Sequence, residues 1–345
     1  MYLSELTELP GVSGNENAVR AYIKERIAPF CDNIEVDSMG NLMAYKRGTG
    51  NVDKTLMLCA HMDEVGLIIS RITEDGFLKF KAVGSLDPRV LVSKRVRIGT
   101  GGFIGVIGRK AIHLLTPEER KKAPVMKDLY IDIGACNQEE AQKRVAVGDY
   151  VVFDSAYIPF GDGLVKAKAL DDRVGCSILL ELIQEPCVWN CCFAFTVQEE
   201  TGLRGARLCA RRVQPTMALV LEATTCSDLP QMDRNMVSTY LGGGAAISLV
   251  DGATSYNREL AQTLYQLAQS HNIPVQFKQT ATGGNDAGSI HVSAGGVLTA
   301  SISVPARYIH SPSSVISLAD YQAVCDLTRL WIQEVHHAKI ITRAL

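Results

Sequence analysis

Apolar positions along the chain follow two rhythms, separated by a middle stretch of different texture. Residues 15–30, NENAVRAYIKERIAPF, place Val19, Tyr22, Ile23 and Ile27 on one stripe at helical spacing, with Asn15 as the expected cap. A strand follows at KTLMLCAH. From about residue 68 to 165 the pattern becomes short β-like runs, among them GLIISRI, FLKFKAV, GFIGVIG and DLYIDIG, split by Gly, Asp and Pro turns. Many short strands at this spacing predict a small barrel or sandwich. Alternation returns after residue 166, with helices predicted near 172–185, 257–271 and 317–338 and strands at 188–198, 216–222 and 298–304. In the last helix Ser317 and Asp320 stand at capping-box spacing, and Leu318, Tyr321, Val324, Leu327, Leu330 and Trp331 share the inward stripe. The expected fold is α/β, a sheet domain formed by 1–67 and 166–345 and split by an all-β insertion at 68–165.

Composition narrows the partners. With 345 residues, 47% apolar, the chain exceeds the usual size of one core, which agrees with two domains. The 35 basic and 37 acidic residues nearly balance and form no block, which argues against nucleic acid and anionic membrane as partners. MYLSELTELPGVSG carries neither a basic n-region nor an apolar h-region, and no run reaches the roughly 18 apolar residues of a membrane span. Ten cysteines lie mostly inside apolar runs without a CxxC pair, as reduced thiols of a cytoplasmic protein would.

The candidate chemistry sits where apolar runs end in charge. LCAHMDEVG brings His61 and Asp63, KALDDRVG brings Asp171 and Asp172, FTVQEETGLRG brings Glu199 and Glu200, LVLEATTCSD brings Glu222 and ARYIHSPSS brings His310. The carboxyl ends of strands in an open α/β sheet converge on one crevice, so these residues can meet. Two imidazoles and three carboxylates suit a pair of cations: His61, Glu222 and Asp171 around one, His310, Glu200 and a shared Asp171 around the other. Nitrogen and oxygen ligands without thiolate fit Zn²⁺, Co²⁺ or Mn²⁺. Four positive charges against three negative ones favour hydroxide over water as a nucleophile. Glu199, adjacent to Glu200 and turned away from it, is the expected general base. Asp63, two residues beyond His61, is the expected acceptor of the second imidazole N–H. Taken singly, Asp171–Asp172 would serve as a helix cap, and two glutamates after a strand suit a solvated loop. The five positions in order carry the assignment. His113, His271, His291, His336 and His337 lack partners of this kind, Ser311 and Ser313 lack a GxSxG elbow, and GGNDAGS with Asp286 is a candidate for close approach to substrate.

AHMDEVG, KALDDRVG, QEETGLRGA, EATTCSD, GGNDAGSIH and RYIHSP resemble, in order and spacing, the metallo-aminopeptidases of peptidase family M42, with likeness from PGVSGNE near residue 10 to RYIHSP near 312. That family includes glutamyl and leucyl aminopeptidases, self-compartmentalising tetrahedral enzymes, and members carrying an endoglucanase label. The resemblance implies His61, Asp171, Glu200, Glu222 and His310 as ligands, Asp171 bridging, Glu199 as base toward a metal-bound water, and Asp63 supporting His61. It also implies a phosphorylase/hydrolase-like mixed-sheet catalytic domain interrupted by a β-barrel dimerisation domain, peptide substrates, and homo-oligomers from dimers up to a tetrahedral dodecamer. Glu222 departs from the aspartate that many relatives carry there. The competing expectation is a metal-dependent deacylase or amidase on small N-acyl compounds. A glycoside hydrolase with paired carboxylates would leave both histidines unused.

Overall fold

The computed structural model describes residues 2–50, 54–293 and 295–334. His336, His337 and the end of the helix expected to run to 338 lie outside the described residues. The first three strands are β1 (Asn33–Val36), β2 (Leu42–Lys46) and β3 (Thr55–His61). Six more follow: β4 (Gly66–Ile72), β5 (Leu78–Val83), β6 (Arg95–Ile98), β7 (Phe103–Arg109), β8 (Leu129–Asp132) and β9 (Tyr150–Phe153). The remainder are β10 (Ile158–Phe160), β11 (Leu164–Ala167), β12 (Asn190–Thr196), β13 (Met217–Thr225), β14 (Ala245–Ile247), β15 (Val275–Phe277), β16 (Leu298–Arg307) and β17 (Ser314–Ser317).

Strands β4 to β9 close an antiparallel barrel in the order β4-β5-β8-β7-β6-β9. Leu67, Ile69, Leu78, Val96, Ile107 and Ile131 fill it, which is why the middle stretch alternates apolar and polar positions rather than running apolar throughout. The other strands form one mixed sheet, β1-β2-β12-β3-β13-β16-β17-β11-β10, with β14 paired to β16 and to β15. The chain returns to this sheet earlier than residue 166. β10 and β11 pair with each other and β11 pairs with β17, because Val165 and Ala167 are buried in the core of the large sheet.

At the centre β12, β3, β13 and β16 run parallel. Their near-continuous burial explains the long apolar runs, since a parallel sheet is covered on both faces. Period-two alternation divides the strands between two cores. Leu56, Leu58 and Ala60 pack with the helices Leu3–Glu8, Asn17–Ile27, Leu170–Leu182, Arg258–Ser270 and Leu318–Glu334. Met57 and Cys59 face the helices Arg204–Val213 and Ala287–Ile290, whose contact faces are mostly small, Ala206, Cys209, Ala210 and Ala287, with Ile290 the larger exception.

Two expected caps differ. The first long helix begins at Asn17 with no side-chain cap, and Asn15 does not serve it; Glu16 instead folds back to accept from the Gly14 N–H at 2.6 Å. Ser317 Oγ does accept from the Asp320 N–H at 3.4 Å. The Asp320 carboxylate, however, is drawn away to the N–H groups of Gly242 and Gly244, both at 2.7 Å. Half of the capping box forms, and its acidic member ties down the LGGG turn.

Candidate metal centre

His61, Asp63, Glu199, Glu200, Glu222 and His310 stand near the carboxyl ends of the four central parallel strands or in the loops that follow them. His61 ends β3, Glu199 and Glu200 follow β12, Glu222 lies within β13, and His310 follows β16. The adjoining Asp171 enters from the start of the helix Leu170–Leu182. Three of these loops bend through left-handed backbone, at Ala169 (φ 51°), Gln198 (φ 57°) and His310 itself (φ 55°). Non-glycine residues in that region cost about 1–3 kcal/mol each and persist where the surroundings over-determine them. Gly202 at φ 117° turns the chain after Thr201, and its N–H closes on the Glu199 carbonyl at 2.9 Å.

Asp171 holds the middle. Its Oδ1 is 3.2 Å from His61 Nε2 and its Oδ2 is 3.4 Å from His310 Nε2. His61 Nε2 also lies 3.6 Å from Glu222 Oε2 and 4.0 Å from Glu199 Oε2, while His310 Nε2 lies 3.2 Å from Glu200 Oε2. The five ligand candidates and Glu199 are thus brought together, and the adjacent glutamates address different imidazoles.

The supporting contacts differ from expectation in one detail. The nearest acceptor to His61 Nδ1 is the main-chain carbonyl of Asp63 at 3.1 Å, with the Asp63 carboxylate at 3.5 Å. That carboxylate is fully buried and accepts from the N–H groups of Glu199 and Glu200 at 3.0 and 3.1 Å and from Ser13 Oγ at 2.6 Å. Asp63 therefore orients the two glutamates as much as the imidazole. Asp172, expected at most to cap a helix, accepts from the Gly175 N–H at 3.0 Å and also from the His61 N–H at 3.1 Å. Gly175 is required for this approach, since a Cβ there would stand 2.6 Å from the Asp172 carboxylate and 2.9 Å from the Ala60 Cβ.

So many acids in a buried site are electrostatically strained. Burial raises Glu222 and Glu199 well above the carboxylate range, helped by their acidic neighbours, and burial and Asp171 push Glu200 up to about 8. Burial disfavours charge on the histidines too. Yet Glu222, Asp171 and Asp63 outweigh it at His61, and Asp171 and Glu200 raise His310 to about 9. Asp171 is lowered despite its burial, because both imidazoles press on it. Such a centre calls for cations.

The residues fit that need. Oε1 of Glu200 and Oε1 of Glu222 are buried without a hydrogen-bond partner. Donor atoms of His61, Asp171 and Glu200, and again of His61, Asp172 and Glu222, lie within 4.8 Å of one another. In the second group Asp172 already spends both oxygens on N–H groups, which leaves Asp171 the better donor. No thiol intrudes: Cys176 Sγ donates to the His61 carbonyl, and Cys59 faces Asp286.

The centre lines a cavity of about 230 Å³ together with Thr224, Thr225, Lys278, Asn285 and Ser303. Ser13, Thr196 and Lys278 carry no signal in the sequence, since their types are unremarkable in isolation. Asp286, expected near substrate, is fully buried and accepts from Thr196 Oγ1 at 2.5 Å, while its neighbours Gly283, Gly284 and Asn285 line the cavity.

The family model described as M42 glutamyl aminopeptidase matches residues 40–327. A protein of Acetivibrio thermocellus carrying an aminopeptidase name is 38% identical over 320 residues, covering 92% of this chain and 93% of its own. The TET aminopeptidase of a marine-sediment Thaumarchaeota archaeon superposes with a TM-score of 0.93 at 34% identity, covering 98% and 97% of the two chains. The TET1 peptidase of Pyrococcus horikoshii, which assembles into a tetrahedron or a large octahedral shell, gives 0.85 at 34% identity over 96% and 98%.

Proposed function

The chain belongs to the M42 glutamyl aminopeptidase family and is a peptide hydrolase; on that premise we propose that it removes the N-terminal residue from peptides at a centre of two divalent cations. His61, Asp171 and Glu222 would hold one cation and His310, Glu200 and Asp171 the other, with zinc, cobalt or manganese suited to the donors. The observation that carries this reading is Asp171, with one carboxylate oxygen toward each imidazole at 3.2 and 3.4 Å. Bound cations would supply Lewis-acid polarisation of the scissile carbonyl and a lower pKa for water.

The remaining work falls to side chains. Glu199 lines the cavity, where it takes the proton of the attacking water and returns it to the leaving amine. Asp63 grips the N–H groups of both glutamates, which keeps Glu199 toward the cavity while Glu200 faces His310. Asp172 and the Asp63 carbonyl fix the backbone and ring of His61, an orienting support of the kind metal-binding imidazoles use.

Changing Glu199→Gln tests the assignment. Turnover of aminoacyl anilides should fall about 10²- to 10⁴-fold, the usual contribution of a general base, with metal content by mass spectrometry unchanged. Loss of metal together with activity would exchange the roles of the two glutamates. Hydrolysis of N-acyl compounds but not of free-amine substrates would move the function to a deacylase.

The same reading includes homo-oligomers built from dimers through the barrel domain, up to a tetrahedral dodecamer. It is supported by apolar side chains exposed on the barrel surface, Phe103, Ile104 and Val106 on β7 with Ile112 and Leu114 beyond it. A cytoplasmic location is supported by ten free cysteines. No helix among the described residues is long and apolar enough to cross a membrane.

A further inference from the structure

The three acids on the cavity wall, Asp171, Glu199 and Glu222, belong to the metal centre. Lys278 is the sole lysine or arginine among the residues lining the same cavity. β15 delivers it there. Val275–Phe277 pairs with β14, and the Lys278 N–H extends that ladder by donating to the Ile247 carbonyl at 2.9 Å. Its backbone is therefore fixed to the large sheet, and its side chain shares the cavity with His61, Asp171 and Glu222.

Its ammonium is underused. Of three N–H donors, one goes to the Thr282 carbonyl at 2.9 Å, and no carboxylate forms an ion pair with it among the described residues. The two acids that act on it through space, Asp251 and Glu222, are committed elsewhere. Asp251 accepts from the N–H groups of Ala253 and Thr254 and from the Tyr256 hydroxyl at 2.8, 2.7 and 2.6 Å, and Glu222 faces His61. Burial lowers the pKa of Lys278, as it does for a charge lacking a counter-ion. A half-buried ammonium with two free donors, in a cavity whose other walls there are Thr225, Asn285 and Ser303, is a receptor for an anion.

Resting on the aminopeptidase reading, the geometry points to Lys278 as the specificity-determining residue that receives a carboxylate of the substrate beside the metal centre. Two sources offer that group: the side chain of an N-terminal glutamate or aspartate, and the terminal carboxylate of a dipeptide. An N-terminal lysine or arginine is disfavoured, because its cation would meet the ammonium without a counter-ion.

The experiment compares kcat/KM of wild type, K278M, K278Q and K278R on paired substrates. Glutamyl against leucyl p-nitroanilide isolates the side chain, and Leu-Gly against Leu-Gly amide isolates the terminal carboxylate. Wild type should prefer the charged member of one pair, and that preference should fall about 10- to 100-fold in K278M and K278Q, the size of one charge-assisted hydrogen bond. K278R should retain part of it, and K278E should raise lysyl over glutamyl anilide. The inference is overturned if wild type treats both members of both pairs alike within about threefold, or if the preference survives loss of the lysine.

Calorimetry on unaltered protein gives a readout independent of turnover and of variant folding. L-glutamate should bind at least about tenfold more tightly than L-glutamine, or the uncleavable reduced-amide isostere of Leu-Gly than the same isostere of Leu-Gly amide, matching the favoured source. Equal affinities within both pairs overturn the proposal. Carboxylate-selective binding without hydrolysis of any anilide or dipeptide would keep Lys278 as the receptor and sink the aminopeptidase reading.

Discussion

Replacing Lys168 by methionine tests how the ligand loops are held. Lys168 Nζ donates to both carboxylate oxygens of Glu64 at 2.8 and 2.9 Å and to the Leu9 carbonyl at 2.8 Å. Both side chains are buried, at 1% and 2% exposure. Glu64 also accepts from the Gly11 N–H at 3.0 Å and lies 3.5 Å from Arg173 Nη2. Breaking a buried pair from one side leaves an uncompensated charge and costs about 3–5 kcal/mol. Here Arg173 and Gly11 remain, which sets the expected cost at the low end, about 3 kcal/mol. Urea unfolding of metal-depleted protein, without cations to mask the change, gives the value directly. Adding Glu64→Gln should recover part of the loss, and the double-mutant cycle should return a coupling of about 2 kcal/mol. Glu64 stands three residues from His61 and Lys168 three from Asp171, so K168M should also weaken metal affinity. A K168M protein within about 0.5 kcal/mol of wild type, the range of ordinary surface substitutions, would refute the reasoning.

Asp286 supplies a pH prediction. Burial raises its carboxyl to about 6 from an ordinary 3.8. Between those values the folded protein holds a proton that the unfolded chain has released, so this group lowers stability as pH rises through the window, by up to about 3 kcal/mol. D286N in metal-depleted protein should lose that slope and match or exceed wild type at pH 7.5, and an unchanged slope in denaturant titrations would reject the assignment. Gly175→Ala would press a methyl group against the Asp172 carboxylate at 2.6 Å and Ala60 at 2.9 Å. Its expected cost is about 2 kcal/mol, in the range of overpacked cores, with a larger proportional loss of metal affinity because His61 moves with Asp172; a neutral substitution in both assays would contradict the packing argument.

The centre was legible in sequence because its residues interrupt buried runs. His61 and Glu222 lie on β3 and β13, whose neighbours along the strand are almost all buried, and a charge there has to be compensated. The barrel was legible through its frequent turns. Other elements left weaker marks. The helix Arg204–Val213 packs through Ala206, Cys209 and Ala210 against a sheet face lined by Cys59, Cys192 and Ala194, and small residues give too faint a stripe to read as an apolar face. β1, β2, β14 and β15 are three to five residues long, too short for periodicity. Asn15 has the chemistry of a cap, but its N–H is drawn to the Val12 carbonyl at 2.7 Å and the helix starts two residues later. Lys278 could not be found by pattern at all, since one lysine at the end of an edge strand reads as a solvated charge until the cavity beside it is seen.

Diffraction from zinc-loaded crystals, collected at the zinc absorption edge, tests the central claim most directly. The expected map has two anomalous peaks on either side of the Asp171 carboxylate, one beside His61 and Glu222 and the other beside His310 and Glu200. A single peak held by His61, Asp172 and Glu222, with Asp171 outside its ligand shell, would contradict the shared-carboxylate centre on which the proposed chemistry is built.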